Sequence, residues 1–300
     1  MVKSMSKSIN LTNEQAQLII ERYREFSIPH TNNYTLFRAK HKTSTLTIFK
    51  TLTLLIQGSK ANDLYLEICS LTGISPVMED VKNSSLSIEL SLIGTDEVGT
   101  GDFFGGIVVA GAYVRKDQIK ILKRLGVKDS KLLNDTKILE LGETLLKEVV
   151  FSVHVLDCLK YNYINKIQNC NMNKIKALLH NSVIRHLLAK VKNYDGIVID
   201  AFTTKEKYFD YLSGEKDVVK EVKLEEKAES KYVSVAVASI IARYFFLDHF
   251  SKLSEEVGFE LPKGAGSKID LAIQKILKTR NLSFFETIAK TNFKNIDKYK

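Results

Sequence analysis

The sequence has few cysteines, few prolines and no long apolar run. Its three cysteines, Cys69, Cys158 and Cys170, form no CxxC pair. Neither a disulfide framework nor a zinc knuckle is therefore expected, and a reducing compartment suits the chain. No segment approaches the roughly 18 consecutive apolar residues of a membrane span, and residues 1–11 lack the apolar core of a secretory signal. We expect a globular cytoplasmic protein that does not enter a membrane.

The net charge of +9 is concentrated at the two ends of the chain. Residues 1–60 contain nine Lys and Arg against three Asp and Glu, and residues 261–300 contain the same numbers. The residues between them contain 26 basic and 29 acidic side chains. Basic flanks around an acidic middle indicate polyanion binding next to a part that uses carboxylates, although basic termini can equally be solvated surface.

The hydrophobic pattern divides the chain into two domains. A small α+β domain is predicted over residues 1–71, with a capping box at Thr12–Gln15 that begins a helix. Three strand-like alternations and a second helix complete it, and Thr and Lys on the open face of its sheet could contact phosphates, although alternating Thr is also common in strands. The periodicity lapses over residues 72–87, which we interpret as a linker to a larger domain, residues 88–300.

The larger domain alternates strand and helix patterns. Strands are predicted over Ile88–Gly94, Gly106–Val114, Phe151–Leu156 and Gly196–Asp200, and helices over about 117–125, 134–149, 172–191 and 229–253. This order predicts the α/β class, a mixed sheet flanked by helices on both faces.

Four carboxylates stand at the ends of predicted elements. Asp96 and Glu97 follow the first strand of the larger domain, Asp200 ends a buried apolar strand, and Glu229 begins or precedes an Ala-rich helix. Each has a structural alternative, since Asp96 and Glu97 could form a solvated turn and Glu229 could be a helix cap. A carboxylate at the end of a buried strand is nevertheless costly unless it is paired, metal-bound or in a crevice. Four converging carboxylates require cations, and two Mg²⁺ or Mn²⁺ ions on oxygen ligands suit phosphoryl transfer.

Asp96 and Glu97 raise a geometric condition because they are adjacent. Adjacent side chains on a regular strand point to opposite faces of the sheet. We therefore expect the chain to bend here if both acids belong to one site. Gly94, Gly99 and Gly101 would permit a sharp bend and the close approach of something bulky.

Motifs of other catalytic classes are missing from the sequence. The glycine-rich segment 99–105 has phenylalanine where a dinucleotide fingerprint needs its third glycine, and no GK[ST] follows for a P-loop. GxSxG and HExxH are also absent.

Several motifs in order resemble bacterial ribonuclease HIII. They are Gly94–Asp102 (GTDEVGTGD), Val127–Lys131 (VKDSK), Lys176–Asn181 (KALLHN), Lys227–Glu229 (KAE) and Ala238–Arg243 (ASIIAR). The resemblance covers essentially the whole chain, and its N-terminal part resembles that family's TATA-binding-protein-like substrate-binding domain. It implies a ribonuclease H-like fold that uses Mg²⁺ or Mn²⁺ to cut the RNA strand of RNA/DNA hybrids, leaving 3′-hydroxyl and 5′-phosphate ends.

The resemblance also implies the residues of the site. The catalytic and metal-binding acids of the family match Asp96, Glu97, Asp200 and Glu229, and its substrate-binding residues match Gly99, Thr100, Gly101, Ser130, Lys131, His180 and Asn181. The Gly-Thr-Gly turn would meet the minor groove of the hybrid, where 2′-hydroxyls distinguish RNA from DNA. Lys131, with Ser130, would approach a phosphate. No protein partner is implied, and a monomer is expected.

Two alternatives stay open. The sister family, ribonuclease HII, has Gly-Arg-Gly at residues 99–101, aspartate in place of Glu229, and no such N-terminal domain. These differences favour hybrids with several ribonucleotides over HII-like incision at a single ribonucleotide in DNA. In a different class, a non-catalytic nucleic-acid-binding protein would bind hybrid with steep salt dependence but show no metal-dependent cleavage.

Overall fold

A computed structural model describes residues 5–30, 32–74, 89–168 and 170–299. The chain divides into two compact units, residues 1–83 and 84–300. The helix that precedes the predicted linker ends at Thr72, and Gly73 caps it in the left-handed conformation with φ of 65°. From residue 75 onward the predicted linker, 72–87, lies outside the described residues.

In its described residues, 5–30 and 32–74, the N-terminal unit is a four-stranded antiparallel sheet with two α-helices. Its elements are β1 (Met5–Asn10), α1 (Asn13–Arg22), β2 (Thr35–His41), β3 (Ser44–Phe49), β4 (Thr53–Gly58) and α2 (Ala61–Thr72), and the strand order is β1-β4-β3-β2. The capping box at Thr12 forms as predicted, and α1 ends at Arg22 before a short 3₁₀ helix. Both helices pack on one face of the sheet, where Phe37, Leu46 and Ile56 are buried. β1 is not predicted by the sequence.

The C-terminal unit is built on a five-stranded mixed sheet. Its strands are β5 (Leu92–Val98), β6 (Ile107–Val114), β7 (Val150–Leu156), β8 (Gly196–Asp200) and β9 (Lys223–Glu225), in the order β7-β6-β5-β8-β9. β5 pairs antiparallel with β6 and parallel with β8. The carboxyl ends of β5 and β8 are therefore adjacent, and open α/β sheets place ligand sites at such edges.

Helices cover both faces of this sheet. They are α3 (Ile119–Leu125), α4 (Asp135–Glu148), α5 (Cys158–Ile167), α6 (Met172–Leu188), α7 (Lys205–Tyr211), α8 (Val233–Val257), α9 (Ser267–Ile276) and α10 (Phe285–Ile288). One hydrophobic core joins α8 and α4 to one face, and a second joins α6 and α7 to the other. The predicted α/β fold class is confirmed.

α8 runs so close to β5 that a side chain at Gly94 would collide with it. A Cβ built on Gly94 would lie 2.3 Å from the Val235 backbone nitrogen. Small residues on the helix, such as Ala236 and Ala238, are fully buried in this contact. α8 is long and apolar enough to cross a membrane by composition alone, but 67% of its most apolar window is buried inside the protein. It packs as the central core helix of the unit.

Two predicted boundaries differ from the structure around the acids. β5 was expected to end at Gly94 but extends to Val98, so Asp96 and Glu97 lie within the strand. Regular antiparallel pairing with β6 continues through both acids, since Asp96 pairs with Ala110 and Glu97 pairs with Val109. α8 begins at Val233 rather than near Glu229, which lies in a separate 3₁₀ turn, Ala228–Ser230.

Candidate active site

Asp96 and Glu97 point to opposite faces of β5, and no bend is required. Asp96, like Gly94, faces α8, and its Oδ1 accepts a hydrogen bond from the Glu97 backbone amide at 2.8 Å. Glu97, like Thr95, faces α6. Both acids nevertheless line one cavity, because they lie near the end of the strand, and side chains from either face can reach the cavity beyond it.

Glu97 is held on the α6 side by two buried side chains. Lys176 Nζ lies 2.9 Å from its Oε1, and His180 Nε2 lies 3.0 Å from its Oε2. The other ring nitrogen of His180 is 2.8 Å from Thr95 Oγ1, so strand, helix and carboxylate form one chain of hydrogen bonds. The ring of Phe202 stacks on His180 and lies 4.1 Å from the Lys176 ammonium. These contacts leave Glu97 with one preferred orientation.

Asp200 and Glu229 come from the next strand and the following turn. Asp200 ends β8, and its Oδ1 accepts a hydrogen bond from the Ala228 amide at 2.7 Å. This bond ties the 3₁₀ turn that carries Glu229 to the end of β8. Glu229 is 2% exposed, it forms an ion pair with Lys131, and its Oε2 accepts from Ser239 at 3.3 Å.

The charges of the four acids act on one another. Burial raises the pKa of Asp96 well above its usual value, and the negative charges of Glu97 and Asp200 raise it further. Burial also raises the pKa of Asp200, to which the charge of Glu229 contributes. Burial would raise the pKa of Glu97 too, but His180 and Lys176 outweigh it and the pKa is lowered. Glu97 and Glu229 thus have an ammonium partner each, whereas the charge of Lys131 only partly offsets the raised pKa of Asp200.

A cavity of about 370 Å³ opens over this cluster. Three of the acids line it, together with side chains of the neighbouring loop and of α8: Asp96, Glu97, Asp200, Ser130, Lys131, Ser239 and Arg243. A larger cavity of about 950 Å³ lies at the opposite ends of the same strands, beside Leu92 and Gly196, and contains no comparable group of acids. Within the described ranges, no three Asp, Glu, His or Cys side chains are already arranged to hold a metal ion.

The loop that carries Ser130 and Lys131 is fixed from below by Arg243. The Arg243 guanidinium donates to the carbonyls of Ser130 and Leu133 at 2.7 and 3.1 Å and pairs with Asp135. Ser130 is buried, and its hydroxyl lies 2.8 Å from that of Ser239. The Lys131 side chain is 74% exposed, so its ammonium reaches Glu229 from solvent.

The Gly-Thr-Gly turn lies directly after β5. Gly99 has φ of +91°, and a Cβ on it would lie 2.4 Å from the Gly106 carbonyl oxygen, so only glycine fits without strain. Gly101 is exposed, and a Cβ on it would meet no atom within 4 Å. Thr100 between them is half-buried. An approaching ligand would therefore meet bare backbone at Gly101.

His180 and Asn181 lie behind the site. His180 is fully buried between Thr95 and Glu97, and Asn181 is 5% exposed. The Asn181 amide donates to the Asp217 carbonyl and accepts from the Val219 amide, both at 2.9 Å, so it fixes that loop. Direct contact of these two residues with substrate stays a prediction, because the contacts they make here are internal.

Sequence reasoning assigned no role to two residues that hold Glu97, namely Thr95 and Lys176. A lysine within a buried helical face is a usable signal, since Lys176 and His180 are four residues apart and therefore share one side of α6. Their common partner is 79 residues away from Lys176 in the chain, and the sequence pattern does not indicate that pairing.

Comparison with known proteins places this geometry in a family. A family model described as ribonuclease HII matches residues 93–296, and one described as a domain of unknown function matches residues 7–64. Ribonuclease HIII of Streptococcus mutans is 39% identical over 299 residues, which covers 97% of this chain and 96% of that protein. The chain belongs to the ribonuclease HIII family. The resemblance drawn from the sequence motifs is confirmed.

Other ribonuclease HIII relatives agree with this assignment. The enzyme of Staphylococcus aureus is 39% identical over 272 residues, 87% of each chain. A crystal structure of Bst-RNase HIII in complex with Mn²⁺ is 37% identical, with a TM-score of 0.69 over 98% of this chain and 97% of that one. The similarity extends through both units, and the match to the ribonuclease HII model, residues 93–296, spans the positions of the four acids.

Proposed function

We propose that this chain is an endoribonuclease that cleaves the RNA strand of RNA/DNA hybrids by two-metal-ion hydrolysis, with Asp96, Glu97, Asp200 and Glu229 as the catalytic acids. The observation that carries the proposal is that Asp96, Glu97 and Asp200 line one cavity, while Glu229 contacts two residues of its lining, Lys131 and Ser239. Family membership supports the same reaction.

The donor set fits Mg²⁺ or Mn²⁺. All four side chains offer carboxylate oxygens, and the pKa of Asp96 is raised by burial first and then by the charges of Glu97 and Asp200, which a bound cation would offset. A related enzyme, Bst-RNase HIII, has been crystallised with Mn²⁺. When bound, divalent cations would supply an activated water molecule and neutralise the charge that develops at the scissile phosphate.

The remaining residues of the site would position the substrate. The exposed Lys131 pairs with Glu229 here. When divalent cations bind the Glu229 carboxylate, the Lys131 ammonium would be free to contact a phosphate of the substrate. Ser130 is held by Arg243 and Ser239 and fixes the backbone from which Lys131 projects. Gly99, Thr100 and Gly101 would lay backbone against the minor groove, where the 2′-hydroxyls of the RNA strand are displayed.

The decisive experiment is cleavage of an end-labelled RNA/DNA hybrid with Mg²⁺, Mn²⁺ or EDTA. We expect metal-dependent cutting of the RNA strand, with 5′-phosphate and 3′-hydroxyl products, and no cutting of RNA or DNA duplexes. A DNA duplex with one ribonucleotide belongs in the same series, since efficient incision there would indicate ribonuclease HII-like specificity. Tight hybrid binding without cutting in either metal would refute the enzymatic proposal.

We propose in addition that the N-terminal unit, residues 1–71, is a TATA-binding-protein-like substrate-binding domain joined by residues 72–87 to the catalytic unit, 88–300. The face of its sheet opposite the helices exposes Arg38 and Lys40, which lie opposite Thr47 and Thr45 in the β2–β3 register. Exposed basic groups on an open sheet face suit phosphate contacts.

Deletion of residues 1–80 tests the role of this unit. Hybrid affinity is expected to fall while slow metal-dependent cleavage persists, because the four acids all lie beyond residue 90. In the full chain, the double variant Arg38→Ala, Lys40→Ala should weaken hybrid binding. The slope of log affinity against log salt concentration should become less steep by the amount expected for about two lost phosphate contacts. Lys60→Ala, which removes a charge at the start of α2, serves as the control. Unchanged affinity in the deletion would refute the binding role.

We further propose that the enzyme acts in the cytoplasm as a monomer without a protein partner. One structure among the similar proteins is a PCNA:RNase HII complex from Archaeoglobus fulgidus, so a partner is known for that related protein. Light scattering of the purified chain tests the monomer. A molecular mass of twice 34.0 kDa would contradict it.

A further inference from the structure

Lys290 is a buried cation that donates to backbone rather than to a carboxylate. Its side chain is 0% exposed, and in the described part of the chain its ammonium donates to the carbonyls of Gly105 and Gly106. A charged side chain in such a place is costly, and replacing it with an apolar one is often neutral or stabilising. A role in addition to stability would account for a cation retained at this cost.

The two carbonyls belong to the loop that continues from the Gly-Thr-Gly turn. Gly99 packs directly on the Gly106 carbonyl oxygen, since a Cβ atom added to Gly99 would lie only 2.4 Å from that oxygen. Lys290 Nζ is 3.4 Å from that same oxygen. The position of the turn thus depends on a carbonyl whose orientation Lys290 helps to fix.

The C-terminal segment holds the rest of this loop as well. The Lys290 amide donates to the Phe103 carbonyl and the Gly105 amide donates to the Ile288 carbonyl, both at 2.9 Å. At the other end of the loop, the Asp102 carboxylate accepts from the Gly264 amide at 2.6 Å. The only side-chain cation in this set is Lys290, and its charge strengthens its bonds to carbonyls relative to neutral donors.

We propose that Lys290 is a positioning residue for the Gly99–Gly101 turn and thereby sets the affinity for RNA/DNA hybrid. The proposal rests on the proposed function, since it assumes that this turn meets the substrate. Lys290 itself touches neither substrate nor the four acids. Its ammonium pre-organises the backbone that approaches the minor groove, and a misplacement there by a fraction of an ångström weakens every contact that the turn makes.

The test uses Lys290→Met, which keeps the length of the side chain and removes its donors, and Lys290→Gln, which keeps a neutral donor. Binding of a labelled hybrid and of a DNA duplex is measured by fluorescence anisotropy in EDTA, where nothing is cut. For Lys290→Met we expect hybrid Kd to rise about tenfold, which corresponds to roughly 1.4 kcal/mol. DNA binding should change little, Lys290→Gln should be intermediate, and the melting temperature should be near wild type.

Kinetics in Mg²⁺ separate positioning from chemistry. KM should rise as Kd does, while kcat stays close to wild type, because the acids keep their contacts. Lys294→Met removes an exposed lysine from the same segment and is the matched control for lost charge. Folded Lys290 variants with wild-type hybrid Kd and KM would overturn the proposal. Loss of folding in both variants would also overturn it, since Lys290 would then be a residue of general stability.

A third variant separates this proposal from the proposed function. Gly101→Ala adds a methyl group where no protein atom lies within 4 Å, so the fold accepts it and only the substrate side is altered. If Gly101→Ala leaves hybrid binding unchanged, the turn does not meet the substrate and the proposed contact is wrong. If Gly101→Ala weakens binding but the Lys290 variants do not, the contact stands and the role of Lys290 is wrong.

Discussion

The two faces of the catalytic sheet hold their share of the acid cluster in different ways. On the α6 face, Glu97 is paired with Lys176, and the two side chains are 11% and 9% exposed. On the α8 face, Glu229, which is only 2% exposed, is paired with Lys131, whose side chain is 74% exposed. A buried ion pair is a fixed part of the fold, whereas an exposed lysine can leave at little cost. One cation is thus built in, and the other is exchangeable.

This difference explains how the site is stable without a preformed metal cage. Asp96 and Asp200 lie between the two pairs without an ammonium partner of their own, and burial raises the pKa of both. His180 and Lys176 stabilise the charged form of Glu97, and Lys131 pairs with Glu229.

The unpaired acids between the faces should matter most for turnover. Asp96→Asn or Asp200→Asn is expected to reduce kcat on RNA/DNA hybrid by about 10³-fold or more, since each removes a charge on which the reaction depends. Hybrid binding in EDTA should survive or improve, because repulsion with phosphates falls. The check is single-turnover cleavage with Asp210→Asn, an exposed acid on α7, as control. Near-wild-type rates in either variant would refute the assignment of these acids.

The built-in pair should matter most for stability. Lys176→Met leaves Glu97 buried without its ammonium partner, and the free energy of unfolding should fall by about 3 kcal/mol, or roughly 10 °C in melting temperature. Calorimetry measures this, and Lys176→Met combined with Glu97→Gln should recover most of the loss because the carboxylate that lost its ammonium partner is then neutral. A Lys176→Met variant as stable as wild type would show that the two faces do not differ.

The sequence predicts the acids better than the contacts that hold them. The sequence predicts that Asp200 ends a strand, because Gly196–Asp200 is a short apolar run, which is typical of a central strand. The structure has the same strand bounds. β1 was missed because Met5–Asn10 has a polar composition, and it forms only by pairing with β4 along its full length. Lys290 and Gly105 are 185 residues apart, and such long-range polar contacts leave no periodic signal.

Lys290 extends the comparison to a buried lysine without a carboxylate partner. Burial lowers its pKa to about 8, although the nearby Cys158 and the Asp102 carboxylate oppose this effect. The unfolded chain keeps the ordinary lysine pKa and binds the proton more tightly, so stability should rise with pH between about 8 and 10.5. From pH 7.5 to 9.5 wild type should gain about 2 kcal/mol relative to Lys290→Met. Urea unfolding of both proteins at the two pH values measures it, and parallel curves would contradict a buried charged lysine.

Loss of the Lys131–Glu229 pair should have the smallest effect on stability. It should lower stability slightly but raise the affinity for Mn²⁺. Lys131→Met should lower the free energy of unfolding by only about 1 kcal/mol, because the lost ammonium is largely in solvent and the hydroxyls of Ser130 and Ser239 still donate to the buried Glu229. Without substrate, Mn²⁺ should bind a few times more tightly, because no ammonium competes for Glu229, while hybrid KM should rise because a phosphate contact is lost. Calorimetric titration with Mn²⁺ and cleavage kinetics measure the two effects, and Lys128→Met, an exposed lysine in the same loop, is the control. If Mn²⁺ instead bound more weakly to Lys131→Met, Lys131 would be helping to hold Glu229 in place for the metal, and the contrast between a fixed and an exchangeable cation would fail.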